Sequence, residues 1–196
     1  MTAPTLPASH GALPPEGECA ARGGSSPRMS ALLDVKDLRV SFGGKEVVKG
    51  VSFAIAAGEK LALVGESGSG KSVTALSLLR LALNARVEGQ ALFNGRDTLS
   101  LAEPELEALR GDDIAMIFQE PMTALNPLMT VGQQIAEMLQ IKRGQGKREA
   151  WARAVELLAE VGIPEPERRA QSFPHQLSGG QRQRAMIAMA LSCEPK

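Results

Sequence analysis

Tyrosine is absent from these 196 residues, tryptophan occurs once, and aromatic residues together make up 3% of the chain. So few aromatics offer no platform for stacking bases, which argues against single-stranded nucleic acid as a partner. A surplus of one charge is also lacking: 22 Lys and Arg balance 22 Asp and Glu, for a formal charge of zero. Nucleic-acid binding runs on excess Lys and Arg, so no nucleic acid is expected as the main partner. The two cysteines, Cys19 and Cys193, have no companions at a metal-binding spacing. They read as free thiols of a reducing compartment. No apolar run approaches the roughly 20 residues of a membrane span, so any membrane role must be peripheral.

What remains is ordinary globular material. Apolar residues are 43% and charged residues 22%, and the length suffices for one domain with a real core. Residues 1–30 stand apart, rich in Pro, Gly, Ala and Ser and without hydrophobic periodicity. They read as a disordered leader with no secretory apolar stretch. Met29, just before the first patterned segment, is a candidate true start. His10 lies in this leader and is given no role.

One stretch organises the rest: Gly65-Glu66-Ser67-Gly68-Ser69-Gly70-Lys71-Ser72. It fits G-x-x-x-x-G-K-[ST], the phosphate-binding loop. Leu61 to Val64 before it reads as a buried parallel strand, and Val73 to Leu81 after it as a helix. A polyphosphate must be wrapped closely by backbone N–H groups, which explains glycine at positions 65, 68 and 70. The helix start directs unpaired N–H groups and a positive dipole end at the phosphates. Lys71 supplies a charge for the β- and γ-phosphates, and the Ser72 hydroxyl a ligand for Mg²⁺. A chance match to this pattern in a chain this long has odds of roughly one in a few hundred.

In chain order, Leu32 to Phe42 reads as a strand, Gly43-Gly44 as a turn, and Glu46 to Ile55 as a second strand of an antiparallel opening. Gly89 to Asn94 is a third short strand, ending at the turn pair Asn94-Gly95. Pro104 to Arg110 reads as a short helix and Ile114 to Phe118 as a buried strand. Val131 to Leu139 and Lys147 to Val161 carry helical periodicity. Trp151, Val155, Leu158 and Val161 form a stripe that reads as core rather than as a binding surface, and Pro164 and Pro166 end that helix.

A second signature follows, Leu177-Ser178-Gly179-Gly180-Gln181, opening a helix from Arg182 to Leu191. Ser178 is a natural N-cap, and the two glycines leave the first N–H groups bare, a second anion site. With the phosphate loop upstream, this pair resembles the ATP-binding subunits of ABC transporters, whose signature is L-S-G-G-Q. The resemblance runs from about Leu32 to Lys196. Val64 to Ser72, Met116 to Pro127 and Phe173 to Leu177 are similar to the oligopeptide and dipeptide importer subgroup, which nickel and glutathione importers share.

The resemblance implies an α/β fold: a P-loop NTPase core with an antiparallel β subdomain and a helical subdomain, here an incomplete ABC ATPase domain. The expected organisation is a leader over 1–30, β subdomain and core over 31–119, helical subdomain over 120–174, and signature loop and helix over 175–196. ATP and Mg²⁺ are the implied cofactors. Gly65, Glu66, Ser67, Gly68, Ser69, Gly70, Lys71, Ser72 and Thr74 would hold the nucleotide. Gln119 matches the glutamine that touches Mg²⁺ or the attacking water, making it the catalytic candidate and, with Ser72, a metal candidate. Phe42 matches an aromatic that stacks on adenine. Ser178, Gly179, Gly180 and Gln181 would contact the γ-phosphate held by a second ATPase subunit, since these proteins close head to tail. His175 resembles a position near the signature and is assigned no chemistry.

The implied function is ATP-driven import, with di- or oligopeptides as cargo. The implied partners are a second ATPase subunit, membrane permease subunits and, indirectly, a substrate-binding protein, with the ATPase peripheral on the cytoplasmic face of the plasma membrane. The family mechanism also needs an apolar strand ending in Asp, then a catalytic Glu and a later His. None precedes Cys193-Glu194-Pro195-Lys196, and Asp112-Asp113 precedes a strand rather than ending one. The expectation is a fragment that binds nucleotide but hydrolyses it feebly or not at all.

Three other readings fare worse. A soluble ABC-type ATPase acting on DNA or ribosomes would place a long heptad coiled coil between the motifs, and none is present. A GTPase would carry N-K-x-D, which does not occur, and neither a GTPase nor a nucleotide kinase uses the second signature. A non-catalytic nucleotide binder is what the chain would be if Lys196 were its native end.

Overall fold

A computed structural model of the chain describes residues 31–119 and 124–196. The leader, Met29, His10, Cys19 and residues 120–123 of the subgroup resemblance lie outside the described residues. The chain forms two compact units, dividing between Leu99 and Ser100.

The first unit is an antiparallel sheet with one helix. β1 (Leu33–Phe42) and β2 (Lys45–Ile55) form a hairpin, β3 (Ala85–Phe93) pairs with the other edge of β1, and β4 (Arg96–Asp97) pairs with β3. The order is β2-β1-β3-β4. Both hairpin turns were legible. Gly43 and Gly44 have φ of 55° and 85°, and Asn94 and Gly95 have 48° and 77°, the positive pair that a two-residue turn demands. Val35, Leu38, Val40, Val48 and Ala91 bury one face. Val73 and Leu78 of α1 (Lys71–Leu78) pack on that cluster. α1 stops short of the expected Leu81, because Arg80 turns left-handed at φ 53°.

The second unit is helical: α2 (Glu103–Asp112), α3 (Val131–Arg143), α4 (Lys147–Glu160), α5 (Pro166–Ala170) and α6 (Gly179–Leu191), with a 3₁₀ turn at Pro174–Gln176. Its core joins Val131, Ile135 and Leu139 of α3 to Leu157 and Leu158 of α4 and Ala185 and Ala188 of α6. Trp151, Val155 and Val161 pack against that core beside the buried Leu158, so the stripe is core, as expected. Its centre is rotated toward Ala150, Ala154 and Leu157, whose small or well-fitting side chains let the helices approach. Pro166 does not merely end a helix. It begins α5 at a position where its missing N–H costs nothing.

Two expected strands are not formed. Leu61, Leu63 and Val64 lie in no strand and are 39%, 36% and 71% exposed. Ile114 makes a single bridge to Arg110, and Ile117 and Phe118 are 49% and 45% exposed. The apolar runs are real, but a buried parallel strand needs a neighbour to pair with. Among the described residues neither segment has one.

Candidate functional site

The phosphate loop belongs to the first unit. It leaves Val64, turns through Gly68 at φ 83° and Gly70 at φ 87°, and enters α1 without a side-chain cap. Those dihedrals suit glycine alone among ordinary residues. Gly70 also lies against β2, where a Cβ would sit 3.1 Å from the Val47 carbonyl oxygen and 3.1 Å from Val48 Cγ2. A Cβ on Gly65 would sit 2.7 Å from Ser69 Oγ. The loop is a tight backbone cradle that side chains would fill.

Lys71 folds back across it. Its Nζ donates to the carbonyls of Gly65 at 2.7 Å and Glu66 at 2.6 Å and to Ser69 Oγ at 3.2 Å. A further bond from Ser69 N to the Glu66 carbonyl, 3.2 Å, closes the turn. The ammonium is thereby held over the loop rather than extended into solvent. Thr74 is buried, and both its N–H (2.8 Å) and its hydroxyl (3.0 Å) bond the Gly70 carbonyl, which locks the first turn of α1. Ser72 is exposed in that same turn, and Glu66, Ser67, Gly68 and Ser69 are exposed around the loop. No acidic residue occupies the first turn, so nothing there competes with an anionic ligand.

Phe42 ends β1, opposite Lys45 and Ala85, and packs partly buried against the sheet core. Gln119, Ser178, Gly179, Gly180 and Gln181 belong to the second unit. Gln119 is exposed. The start of α6 has the expected cap, with Ser178 Oγ accepting from Gln181 N at 3.3 Å and Gln181 Oε1 accepting from Ser178 N at 3.0 Å. This reciprocal box was only half read from sequence, where the Gln181 side chain was not credited with capping. A Cβ at Gly179 or Gly180 would meet nothing within 4 Å. The fold does not require glycine at either position. His175 stacks on Phe173, ring centroids 5.8 Å apart.

Outside these motifs, hydrogen bonds that Arg39 donates to Asp37 and then to Glu46 raise its pKa, and one that Arg153 donates to Glu160 raises that of Arg153, so both stay cationic. Among the described residues no three His, Cys, Asp or Glu converge as a metal cluster. The exposed Ser72 hydroxyl beside the cradle fits Mg²⁺, which keeps waters and takes few protein ligands.

A glycine cradle with a lysine folded across it and a helix start beneath it defines the class of P-loop nucleotide-binding proteins. A family model described as ABC transporter matches residues 48–196, and the chain belongs to that family. It is 52% identical over 171 residues to the oligopeptide transport ATP-binding protein OppD of Escherichia coli, covering 85% of this chain and 51% of that one. It is 51% identical over 179 residues to a probable peptide ABC transporter ATP-binding protein, y4tR, of Sinorhizobium fredii, covering 88% of this chain and 53% of that one. The chain thus spans about half the length of the curated relatives it matches. Among solved structures it resembles the dimeric ATP-binding cassette MJ0796 bound to ADP and Pi, with TM-score 0.73 and 33% identity over 83% of this chain and 70% of that one. CbiO1 of Clostridium perfringens matches with TM-score 0.67 and 26% identity, over 86% of this chain and 64% of that one. The architecture is the ABC ATPase fold, with its antiparallel β subdomain and helical subdomain.

Proposed function

We propose that this chain is the nucleotide-binding part of an energy-coupling ATPase that drives an ABC importer for di- or oligopeptides. The names of the relatives support the cargo class. The observation that carries the nucleotide role is Lys71, tied by three bonds across a glycine cradle whose open side faces solvent. ATP phosphates would replace those neutral acceptors with anionic ones, which hold an ammonium more strongly.

The N–H groups of Gly65 to Ser72 and the start of α1 bind the phosphates, with Thr74 fixing that turn. Mg²⁺, which would neutralise charge on the β- and γ-phosphates, would take the Ser72 hydroxyl as a ligand, and Gln119 is the candidate to touch the metal or orient the attacking water. Phe42 takes the adenine. Gly179 and Gly180 leave space at a helix start where the fold asks for none, which suits close approach by the γ-phosphate of a second subunit's ATP. Ser178 and Gln181 frame that approach. We assign residues 31–119 to the β subdomain and core, 120–174 to the helical subdomain and 175–196 to the signature. Membrane permease subunits and, indirectly, a substrate-binding protein complete the assembly, with this subunit peripheral on the cytoplasmic face of the membrane.

Hydrolysis requires a carboxylate at the end of a central strand. The described residues offer none there. The Lys196 N–H donates to the Asp113 carbonyl at 3.0 Å and Lys196 Nζ pairs with Asp113 at 2.7 Å, so Lys196 lies against the residue before Ile114.

Lys71→Ala in the full-length polypeptide tests the reading. ATP affinity should fall roughly tenfold or more, since a charge-assisted contact is lost, while the fold survives because the freed carbonyls are exposed. Unchanged ATP affinity by fluorescent-nucleotide titration would sink it.

A further inference from the structure

A lysine ammonium has three protons to donate. Lys71 gives all three to its own loop: to the Gly65 carbonyl, to the Glu66 carbonyl and to Ser69 Oγ. A phosphate oxygen can therefore be bonded by Lys71 only by displacing one of these acceptors.

The three are not equal. The carbonyl bonds are short, 2.7 and 2.6 Å, whereas the hydroxyl stands at 3.2 Å, past the usual range for a strong bond. The carbonyls are also fixed in place. They belong to the backbone of the turn, and the Glu66 carbonyl accepts from Ser69 N as well, at 3.2 Å. The hydroxyl needs only a turn about χ1 to leave, and Ser69 is exposed, so it has room to rotate. Ser69 Oγ is thus the acceptor that yields.

Its position is that of a competitor. Oγ sits 2.7 Å from where a Cβ of Gly65 would stand, so the hydroxyl fills the side of the cradle that glycine at 65 leaves open, against the Lys71 side chain. Nothing in the fold demands that contact. Ser69 is held by its backbone bond to Glu66, and alanine would keep it.

We propose that the Ser69 hydroxyl is a positioning group that competes with phosphate oxygens for the Lys71 ammonium, and so sets the affinity of the loop below what its backbone and lysine alone would give. The inference rests on the reading of Lys71 as the phosphate-binding lysine and assigns a regulator of that same site. The fraction of molecules with Lys71 released limits the apparent affinity, and removing the competitor raises that fraction. The gain belongs to association, because the hydroxyl has already left Lys71 when phosphate is bound.

The test is stopped-flow binding of a fluorescent ATP analogue with Mg²⁺ to the full-length polypeptide, for wild type, Ser69→Ala, Lys71→Ala and the double variant. Ser69→Ala should tighten binding by about twofold to tenfold, the worth of one neutral hydrogen bond. The change should lie in the association rate, with dissociation within about twofold of wild type. In the Lys71→Ala background Ser69→Ala should change nothing, a complete loss of additivity. Unchanged or weaker binding by Ser69→Ala overturns the proposal; weaker binding would mean that the hydroxyl itself holds phosphate. A gain carried by slower dissociation, or one that persists without Lys71, also overturns it, since a general loosening of the loop would give either. These outcomes leave the nucleotide reading intact, whereas unchanged affinity in Lys71→Ala would defeat that reading and the inference with it.

Discussion

Gly89 of β3 lies directly against the carbonyl of Asp37 on β1: a Cβ at Gly89 would sit 2.4 Å from the Asp37 oxygen and 2.7 Å from the Lys36 oxygen. The closeness comes from a bulge. Asp37 takes φ 42°, the register of β1 shifts beside it on both edges, and its N–H is taken by Ser52 Oγ at 2.8 Å. Gly50 of β2 closes the other side, where a Cβ would meet Asp37 Oδ1 at 2.5 Å. The bulged strand is thus flanked by a glycine on each neighbour, and the sheet folds around the absence of two side chains.

Gly89→Ala should therefore be severe. It adds a backbone clash to a dihedral, φ 99°, that L residues avoid. Together these should cost roughly 3 kcal/mol or more. Equilibrium unfolding of the full-length polypeptide reads the loss. Gly95→Ala is the control, since its Cβ would meet nothing within 4 Å and only its dihedral, φ 77°, is strained. If the two variants lose the same stability, the clash is not the cause.

The sequence reveals this unit only in part, and the reasons differ from place to place. β1, β2, the two turns and the phosphate loop were readable because their signals are local: alternating apolar residues and residues that permit positive φ. The bulge at Asp37 was not readable, since nothing in Val35-Lys36-Asp37-Leu38 says which glycines two other strands will bring. Leu61 to Val64 and Ile114 to Phe118 show the opposite limit. Their composition specifies a buried strand correctly as a preference, but pairing is not local, and the partner is not among the described residues. At the signature, Ser178 was legible as a cap. The freedom of Gly179 and Gly180 from any steric demand needed the coordinates.

Ser77 is fully buried on α1, and its hydroxyl finds no partner among the described residues. A buried unpaired hydroxyl is a net cost. Ser77→Ala removes it without changing the helix face, and alanine is also the better helix former. Stability should be unchanged or rise by up to about 1 kcal/mol, with ATP affinity unaffected. A clear loss would mean that the hydroxyl is bonded in the native polypeptide.

Gly180→Ala should separate folding from function by sign. The position is helical and open, so alanine should stabilise α6 by up to about 1 kcal/mol. The same methyl occupies the space proposed for a phosphate of the second subunit's ATP. ATP-driven association of full-length subunits should weaken by about tenfold or more. Calorimetry and sedentation by analytical ultracentrifugation with ATP read the two effects. A variant that is more stable and equally able to associate would remove the signature glycines from the nucleotide interface.

The uncovered apolar backbone makes the last prediction. Leu61, Leu63 and Val64, and likewise Ile117 and Phe118, lie exposed outside any strand, and exposed apolar segments recruit other chains. The 196-residue chain on its own should bind an apolar dye and self-associate at micromolar concentration. Val64→Lys should reduce that association without unfolding the first unit, because the side chain is already 71% exposed and a charge there repels an incoming strand. Light scattering and dye fluorescence on the two proteins decide it. A 196-residue chain that stays monomeric, binds no dye and unfolds cooperatively would show that these segments are covered from within.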